Sequence, residues 1–342
     1  MPRLIISAAE ASGDRLGAEL IAALPDRQAW EIRGVAGPCM RAAGVLPLAR
    51  TEDLCVMGAA EVLGHLGAIR RARAAVVAAL DEGASGIVLI DAPDLHLPLG
   101  RAAKARNIPA IGYVSPQVWA WRRGRTEDIA QALDELLCLF AFEPALYAGL
   151  KVTWVGHPVV DRLPPRAAVD PDLYALLPGS RDQEIRRMRP VFLSAAERIR
   201  AVQPDAHFLL IGPPPEEVPP PWIRPTPDIA DAAGARGALT KAGTVTLELA
   251  VMGVPQVVAH RVHPLTYGLG RMLVRGIRHI AMPNILAQAP CVPEFVQQLD
   301  PGVLAEAVLE LPAAQPVPLD ALGDSGAAAR AAALVARAVG AA

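Results

Sequence analysis

Short apolar runs rich in β-branched residues recur along this chain, each followed by a polar loop and a helical stretch. That alternation leaves few architectures open. The fullest example is GIVLIDAPDLHLPLGRAAKARNIPAIGYVSPQVWAWRRGR, residues 86–125. Gly86 to Ile90 reads as a buried strand that stops at Asp91. Pro98 to Arg106 reads as a helix with Pro98 in its first turn, and Ala110 to Val114 as a second strand that stops at Ser115-Pro116. Strand, helix and strand at this spacing predict a parallel βαβ unit. Ligands of open parallel sheets bind outside the carboxyl ends of the strands. Here that edge carries Asp91, Asp94, His96, Tyr113, Ser115, Gln117, Trp119, Trp121, Arg122, Arg123 and Arg125. Aromatic residues make up only 4% of the chain, yet three fall within positions 113–121, so this edge is the expected chemical centre.

The same grammar runs through the whole chain. Strands are predicted at Leu4–Ala8, Ile32–Ala36, Glu135–Ala141 and Val152–Val155, and after them at Leu173–Leu177, Ala206–Ile211, Gly237–Thr240 and Gln256–Ala259. Helices are expected over 14–24, 67–81, 127–133, PALYAGL (144–150), 182–202, 244–252 and 264–276. Helices on both faces of parallel sheets make this an α/β chain. At 342 residues it is long for one core, and the Pro-rich, polar stretch 158–172 suits a linker. The expected division is 1–160, 161–325 and an Ala-rich helix at 326–342 free to pack back on the N-terminal domain.

A net charge of -2 argues against bulk nucleic-acid binding. Cys39, Cys55, Cys138 and Cys291 form no CxxC pair, which disfavours zinc and suits reduced thiols in the cytoplasm. A strand that begins at Leu4 leaves no room for a signal peptide, and no apolar run is long enough to span a membrane, although peripheral membrane contact stays open.

Three turns carry anion-binding chemistry. In AEASGDRLG, Glu10, Ser12 and Gly13 lie where a strand feeds a helix, a potential anion or sugar site; Ser12 and Asp14 are equally suited to capping that helix. In LLPGSR, Gly179 lets the backbone approach an anion, Ser180 opens the next helix and Arg181 adds bidentate charge. In KAGTVTLE, Lys241 precedes Gly243-Thr244 at a helix start, and Glu248 lies one turn on from Thr244, able to accept two ribose hydroxyls. Each also has a plain reading, as a surface Arg or a solvated helix Glu. Two phosphate-type turns in one half, with no GxGxxG and no Walker lysine, favour a nucleotide-sugar over NAD or ATP.

SAAEASGDRLGAELI, GPCMRAAG, VMGAAEVLGHL, IDAPDLHLPL, YVSPQVWAWRRGR, FEPALY, VGHPVVD, LLPGSRDQEI, GTVTLELAVMGVPQVV, HRVHPLTYGLGRMLVR and MPNILA follow one another in order. Together they resemble the lipid-A-disaccharide synthase family over nearly all of residues 4–296. The resemblance implies the GT-B arrangement, two Rossmann-like domains facing across a cleft. It implies transfer of 2,3-diacylglucosamine from UDP to the 6-hydroxyl of 2,3-diacylglucosamine 1-phosphate (lipid X), giving the β-1',6 lipid A disaccharide 1-phosphate and UDP. It also implies a cytoplasmic enzyme, peripheral on the inner membrane, that is a monomer or homodimer. By motif, Asp91 and Arg181 are implied to be essential, with Asn284 and Glu248 in the donor site and Glu10 and Ser12 in the first loop. The chain departs from the family pattern at Ala8-Ala9, where a Gly commonly precedes the Glu, and at KAGT, where SGT is common.

Donor α-linkage and product β-linkage imply one in-line displacement with inversion. Asp91 is the expected base, with Asp94 in reserve, and Arg181 with the turns at Ser180 and Gly243-Thr244 would stabilise the leaving UDP, so neither metal nor cofactor is expected. Tyr113, Ser115, Gln117, Trp119 and Trp121 are expected to form an acceptor or lipid wall, with Arg122, Arg123 and Arg125 meeting a phosphate. The plainer alternatives are that Asp91 caps a turn and the tryptophans are core. Two further readings stay open: another GT-B UDP-sugar enzyme such as a UDP-sugar 2-epimerase, which would act without acceptor, and a non-catalytic lipid or nucleotide-sugar binder.

Overall fold

The computed structural model describes residues 1–54, 62–116, 126–261 and 279–340, without the side chains of 62–66. The chain forms two compact units, Met1–Asp161 with Ala321–Ala342, and Arg162–Asp320.

The first unit contains β1 (Arg3–Ala8), α1 (Ala11–Ala22), β2 (Glu31–Ala36), α2 (Pro38–Ala42), β3 (Leu46–Arg50), α3 (Val62–Asp81), β4 (Gly86–Ile90), α4 (Pro93–Lys104), β5 (Ala110–Tyr113), α5 (Thr126–Ala132), β6 (Glu135–Cys138) and β7 (Lys151–Trp154). The short α6 (Val159–Arg162) carries the chain from the first unit into the second. The strands form one sheet, β3-β2-β1-β4-β5-β6-β7, with every pairing parallel. All of β4, β5 and β6 is buried, which explains why such strands read as unbroken apolar runs rather than alternating ones. Val76, Leu80, Ile87, Leu99 and Ile129 are all within 2% of full burial, and each stabilises the fold by roughly 1.5–3 kcal/mol.

Several details depart from the sequence-based expectation, among them that α1 begins at Ala11, not 14, so that Ser12 and Gly13 lie in its first turn. The fourth helix starts at Pro93, so Pro98 lies inside it instead of opening it. Proline at 98 has no N–H for the Asp94 carbonyl; the Arg73 guanidinium of α3 donates to that carbonyl and to Leu95 O instead. The stretch 144–150 is no α-helix, since only a 3-10 turn, Glu143–Leu146, forms there. Finally, β3 was not foreseen, because it contains Pro47, lies at the sheet edge and is mostly exposed.

The second unit contains β8 (Asp170–Leu177), α7 (Asp182–Val202), β9 (His207–Ile211), β10 (Ile223–Thr226), β11 (Ala235–Lys241), α8 (Val245–Val251), β12 (Gln256–His260), α9 (Met282–Ala287), β13 (Glu294–Val296) and α10 (Pro301–Leu309). Its sheet, β10-β9-β8-β11-β12-β13, is again parallel throughout. Helix α7 buries Ile185, Met188, Phe192, Ala195, Ala196 and Ile199, the spacing of one helical face. The proposed linker at 158–172 holds α6 and the start of β8. The chain then returns to the first unit as α11 (Ala327–Ala338), which packs against α1. Asp161 accepts from Gly326 N at 2.9 Å and Arg330 Nε donates to Val155 O at 2.8 Å, fastening that return. The helix expected over 264–276 lies outside the described residues, as do Met57 to Glu61. Among the described residues no helix is long and apolar enough to cross a membrane.

Candidate active site

In both sheets the strand order reverses once, between β1 and β4 in the first and between β8 and β11 in the second. A crevice opens at the carboxyl ends of such strand pairs because the flanking connections leave in opposite directions.

In the first unit Ala8 pairs with Ile90, so the loops that begin at Ala9 and Asp91 leave the sheet side by side. Asp91 and Ala92 both adopt left-handed backbone, φ 51 and 43, at about 1–3 kcal/mol each for non-glycine residues. Two hydrogen bonds hold this geometry. Asp91 N donates to Tyr113 O at 3.1 Å, and His96 Nδ1 donates to Asp91 O at 2.6 Å. The carbonyl only accepts, so the proton is on Nδ1, and Nε2 accepts from Ser7 Oγ at 2.9 Å. Burial pushes the His96 pKa down to about 4, which keeps the ring neutral. Crowding by the protein raises the Asp91 pKa, the Ala92 N–H opposes this, and the Glu10 charge raises it further. The exposed Asp94 lies in the first turn of α4.

The remaining residues of this edge sort themselves by burial. Glu10 is the N-cap residue of α1, and Ser12 and Gly13 lie in the first turn. Asp14 does cap a helix, but it is α2: its carboxylate accepts from Gly37 N, Cys39 N and Met40 N at 2.7, 2.8 and 3.1 Å. Tyr113 is fully buried and its hydroxyl has no hydrogen-bond partner among the described residues, so it belongs to the core rather than to an exposed wall. Ser115 is also buried, 2.8 Å from Tyr147 Oη, and follows Val114 at φ 74. Gln117, Trp119, Trp121, Arg122, Arg123 and Arg125 lie outside the described residues.

Reading the sequence missed Glu143. It is 2% exposed, and its Oε2 accepts from Leu139 N at 3.1 Å and Phe140 N at 3.0 Å. Burial lifts its pKa to about 7; those amides and Ser115 pull down, and the Asp91 charge pushes up. FEPALY gives it no role by itself, because its pKa is set first by burial and takes further contributions from Ser115 and Asp91, which are distant in sequence.

In the second unit Leu177 pairs with Thr240, so the turn at 178–181 and the turn at 241–244 are neighbours. Gly179 has φ 122, and Arg181, the N-cap residue of α7, has a side chain 65% exposed. Lys241 Nζ donates to Glu184 Oε1 at 2.8 Å. Gly243 O accepts from Thr246 Oγ1 at 2.8 Å, and exposed Thr244 is the N-cap residue of the short α8. Glu248 accepts from Arg162 Nη2 at 2.5 Å, a partner the sequence did not suggest. Asn284 is fully buried. Its amide nitrogen donates to Val292 O and Glu294 Oε1, and its oxygen accepts from Cys291 N and Val292 N, all at 2.8 Å. Asn284 therefore knits α9 to the segment before β13. No group of three or more His, Cys, Asp or Glu among the described residues is arranged to hold a metal ion.

Two parallel Rossmann-like sheets, each with its polar loops gathered at its own switch point, define the GT-B class. Solved structures share this fold: the glycotransferase of kitacinnamycin (TM-score 0.62, 17% identity, 99% of this chain and 100% of that one) and MurG of Acinetobacter baumannii (0.53, 15%, 97% and 95%). A UDP-GlcNAc 2-epimerase from Methanocaldococcus jannaschii shares it too (0.57, 12%, 98% and 100%). The family model described as lipid-A-disaccharide synthetase matches residues 4–217 and 230–311. The chain is 37% identical to the lipid-A-disaccharide synthase of Geobacter sulfurreducens, covering 86% of this chain and 83% of that protein. It is 39% identical to that of Nitrosococcus oceani, covering 87% and 83%. The chain belongs to the lipid-A-disaccharide synthase family, and it is a glycosyltransferase of lipid A biosynthesis.

Proposed function

We propose that this enzyme transfers 2,3-diacylglucosamine from UDP to the 6-hydroxyl of 2,3-diacylglucosamine 1-phosphate, with inversion at the anomeric carbon. The observation that carries the reading is Asp91, a carboxylate at the switch point of the first sheet with its backbone held left-handed and its pKa raised. A raised pKa brings a carboxylate closer to the range where it accepts a proton productively. As the acceptor oxygen attacks the anomeric carbon, its proton passes to Asp91 and the bond to the UDP oxygen breaks.

In the second unit Arg181, Lys241 and the backbone around Ser180 and Gly243-Thr244 would take up the charge that develops on the diphosphate. Glu248, its carboxylate oriented by Arg162, would accept the ribose hydroxyls. Asn284 would act from behind, by setting the course of α9, since its amide is already engaged. On this reading Met1–Asp161 handles acceptor and base, Arg162–Asp320 handles the nucleotide, and the enzyme works at the cytoplasmic face of the inner membrane.

The test is mass analysis of products from UDP-2,3-diacylglucosamine plus 2,3-diacylglucosamine 1-phosphate. A β-linked disaccharide 1-phosphate and equimolar UDP are expected. Epimerised donor formed without acceptor, or no turnover with both substrates, would overturn the proposal.

A further inference from the structure

We infer that Glu184 is a positioning residue of the donor site: its carboxylate ties the turn at 179–181 to Lys241 and so sets the spacing of the cations offered to the donor diphosphate. The inference rests on reading those turns as that site. Glu184 Oε1 lies 2.8 Å from Lys241 Nζ and 4.0 Å from Arg181 Nη1. One side chain on the first turn of α7 thus collects groups from the ends of β8 and β11.

The backbone is shaped around this contact. At Gly179 an added Cβ would come within 2.8 Å of Glu184 Oε2 and 2.9 Å of its Cβ, while φ 122 disfavours any side chain there. Glycine at 179 therefore serves the approach of Glu184 as well as that of an anion. Next to it, Gly212 at φ 140 brings the end of β9 against the loop, where an added Cβ would lie 3.2 Å from Gly179 O.

Charge points the same way. Burial raises the Glu184 pKa, but the hydrogen bond and charge of Lys241, then Arg181 and the Ser180 amide, outweigh it and hold the carboxyl below its ordinary value. It is ionised at neutral pH. Arg181 and Lys241 repel one another, and an anionic strut offsets that repulsion before the diphosphate arrives. Both members of the Glu184–Lys241 pair are well covered, with side chains 21% and 17% exposed, so water screens the pair less than an ordinary surface pair.

The experiment compares Glu184→Ala and Glu184→Gln with wild type in the full chain, by steady-state kinetics in both substrates and by calorimetric titration with UDP. Glu184→Ala is expected to raise donor KM and UDP Kd by about 10- to 100-fold and to lower kcat by about tenfold, with acceptor KM within about threefold. Glu184→Gln keeps an acceptor for Lys241 Nζ in nearly the same shape but loses the charge, so its donor KM should fall between those of wild type and Glu184→Ala, and it also controls for folding. Three results would each overturn the inference: an unchanged donor KM in Glu184→Ala, an equal rise in both substrates' KM, or Glu184→Gln as impaired as Glu184→Ala. Wild-type protein that binds no UDP would instead overturn the donor-site reading, and the inference with it.

Discussion

Asp91 and Glu143 are both carboxyls whose pKa is raised at one sheet edge, yet their surroundings prepare them for different work. Asp91 keeps an exposed face, whereas Glu143 is sealed beneath amides of its own loop. Asp91→Asn should lower kcat by about 10²–10⁴ while donor binding persists; full activity in that variant would remove Asp91 from the base role. Arg181→Ala should weaken donor binding or turnover by about tenfold or more, and unchanged kinetics would sink its phosphate assignment. Glu143 makes a pH prediction. Its folded pKa of about 7 stands above the ordinary glutamate value of 4.5, so between those values the folded protein holds the proton more tightly than the unfolded chain. Its contribution to stability is therefore full below pH 4.5 and is lost as pH rises toward 7. Glu143→Gln stays neutral throughout, so in urea titrations its stability relative to wild type should climb by on the order of 1–3 kcal/mol across that window. A pH-independent difference would show that Glu143 is already ionised in the native protein. His96 has the opposite slope, since its folded pKa lies near 4 and stability falls as pH drops from 6.5 toward 4. Comparing variant with wild type cancels that contribution.

Helix α4 shows how an element absorbs a residue that should break it. Pro98 removes the donor for Asp94 O, and Arg73 from the neighbouring α3 supplies another. The early start at Pro93 brings His96 onto the helix, beneath the Asp91 carbonyl, so the same register both requires Arg73 and positions the candidate base. Arg73→Ala should cost about 1 kcal/mol in denaturant titrations. In a Pro98→Ala background the regained N–H restores the helical bond to Asp94, so the same substitution should then cost measurably less. Equal costs in the two backgrounds would show that Arg73 does not act through that carbonyl. Sequence pattern put the start of this helix at Pro98 because proline favours first turns; it carried no sign of an arginine arriving from another element.

At the scale of the molecule, two sheets of the same topology are each completed by local connections, except that the last segment returns to the first unit. Helix α11 buries Ala331, Ala332 and Val335 fully, and Arg330 holds Val155 O. Removing residues 321–342 should lower the melting temperature of the first unit by about 5 °C or more, measured by scanning calorimetry. An unchanged first-unit transition would show that the return is dispensable. Sequence alone was enough for the α/β class, for most buried strands, and for the turns at 179–181 and 241–244, because apolar runs, glycines and helix starts are local signals; it started the first helix at Asp14, whereas α1 already begins at Ala11 and takes in Ser12 and Gly13. It was blind to edge strands such as β3 and β10, which are short and interrupted by Pro47 and Pro225. Nor did it reach the chemistry at either sheet edge: in the first unit the left-handed backbone of Asp91, the neutral His96 bonded to its carbonyl, Asp14 turned to α2 and the sealed Glu143, and in the second unit Glu184 between two turns. Those properties depend on which strand ends become neighbours, and strand order is set by packing between residues far apart in the chain.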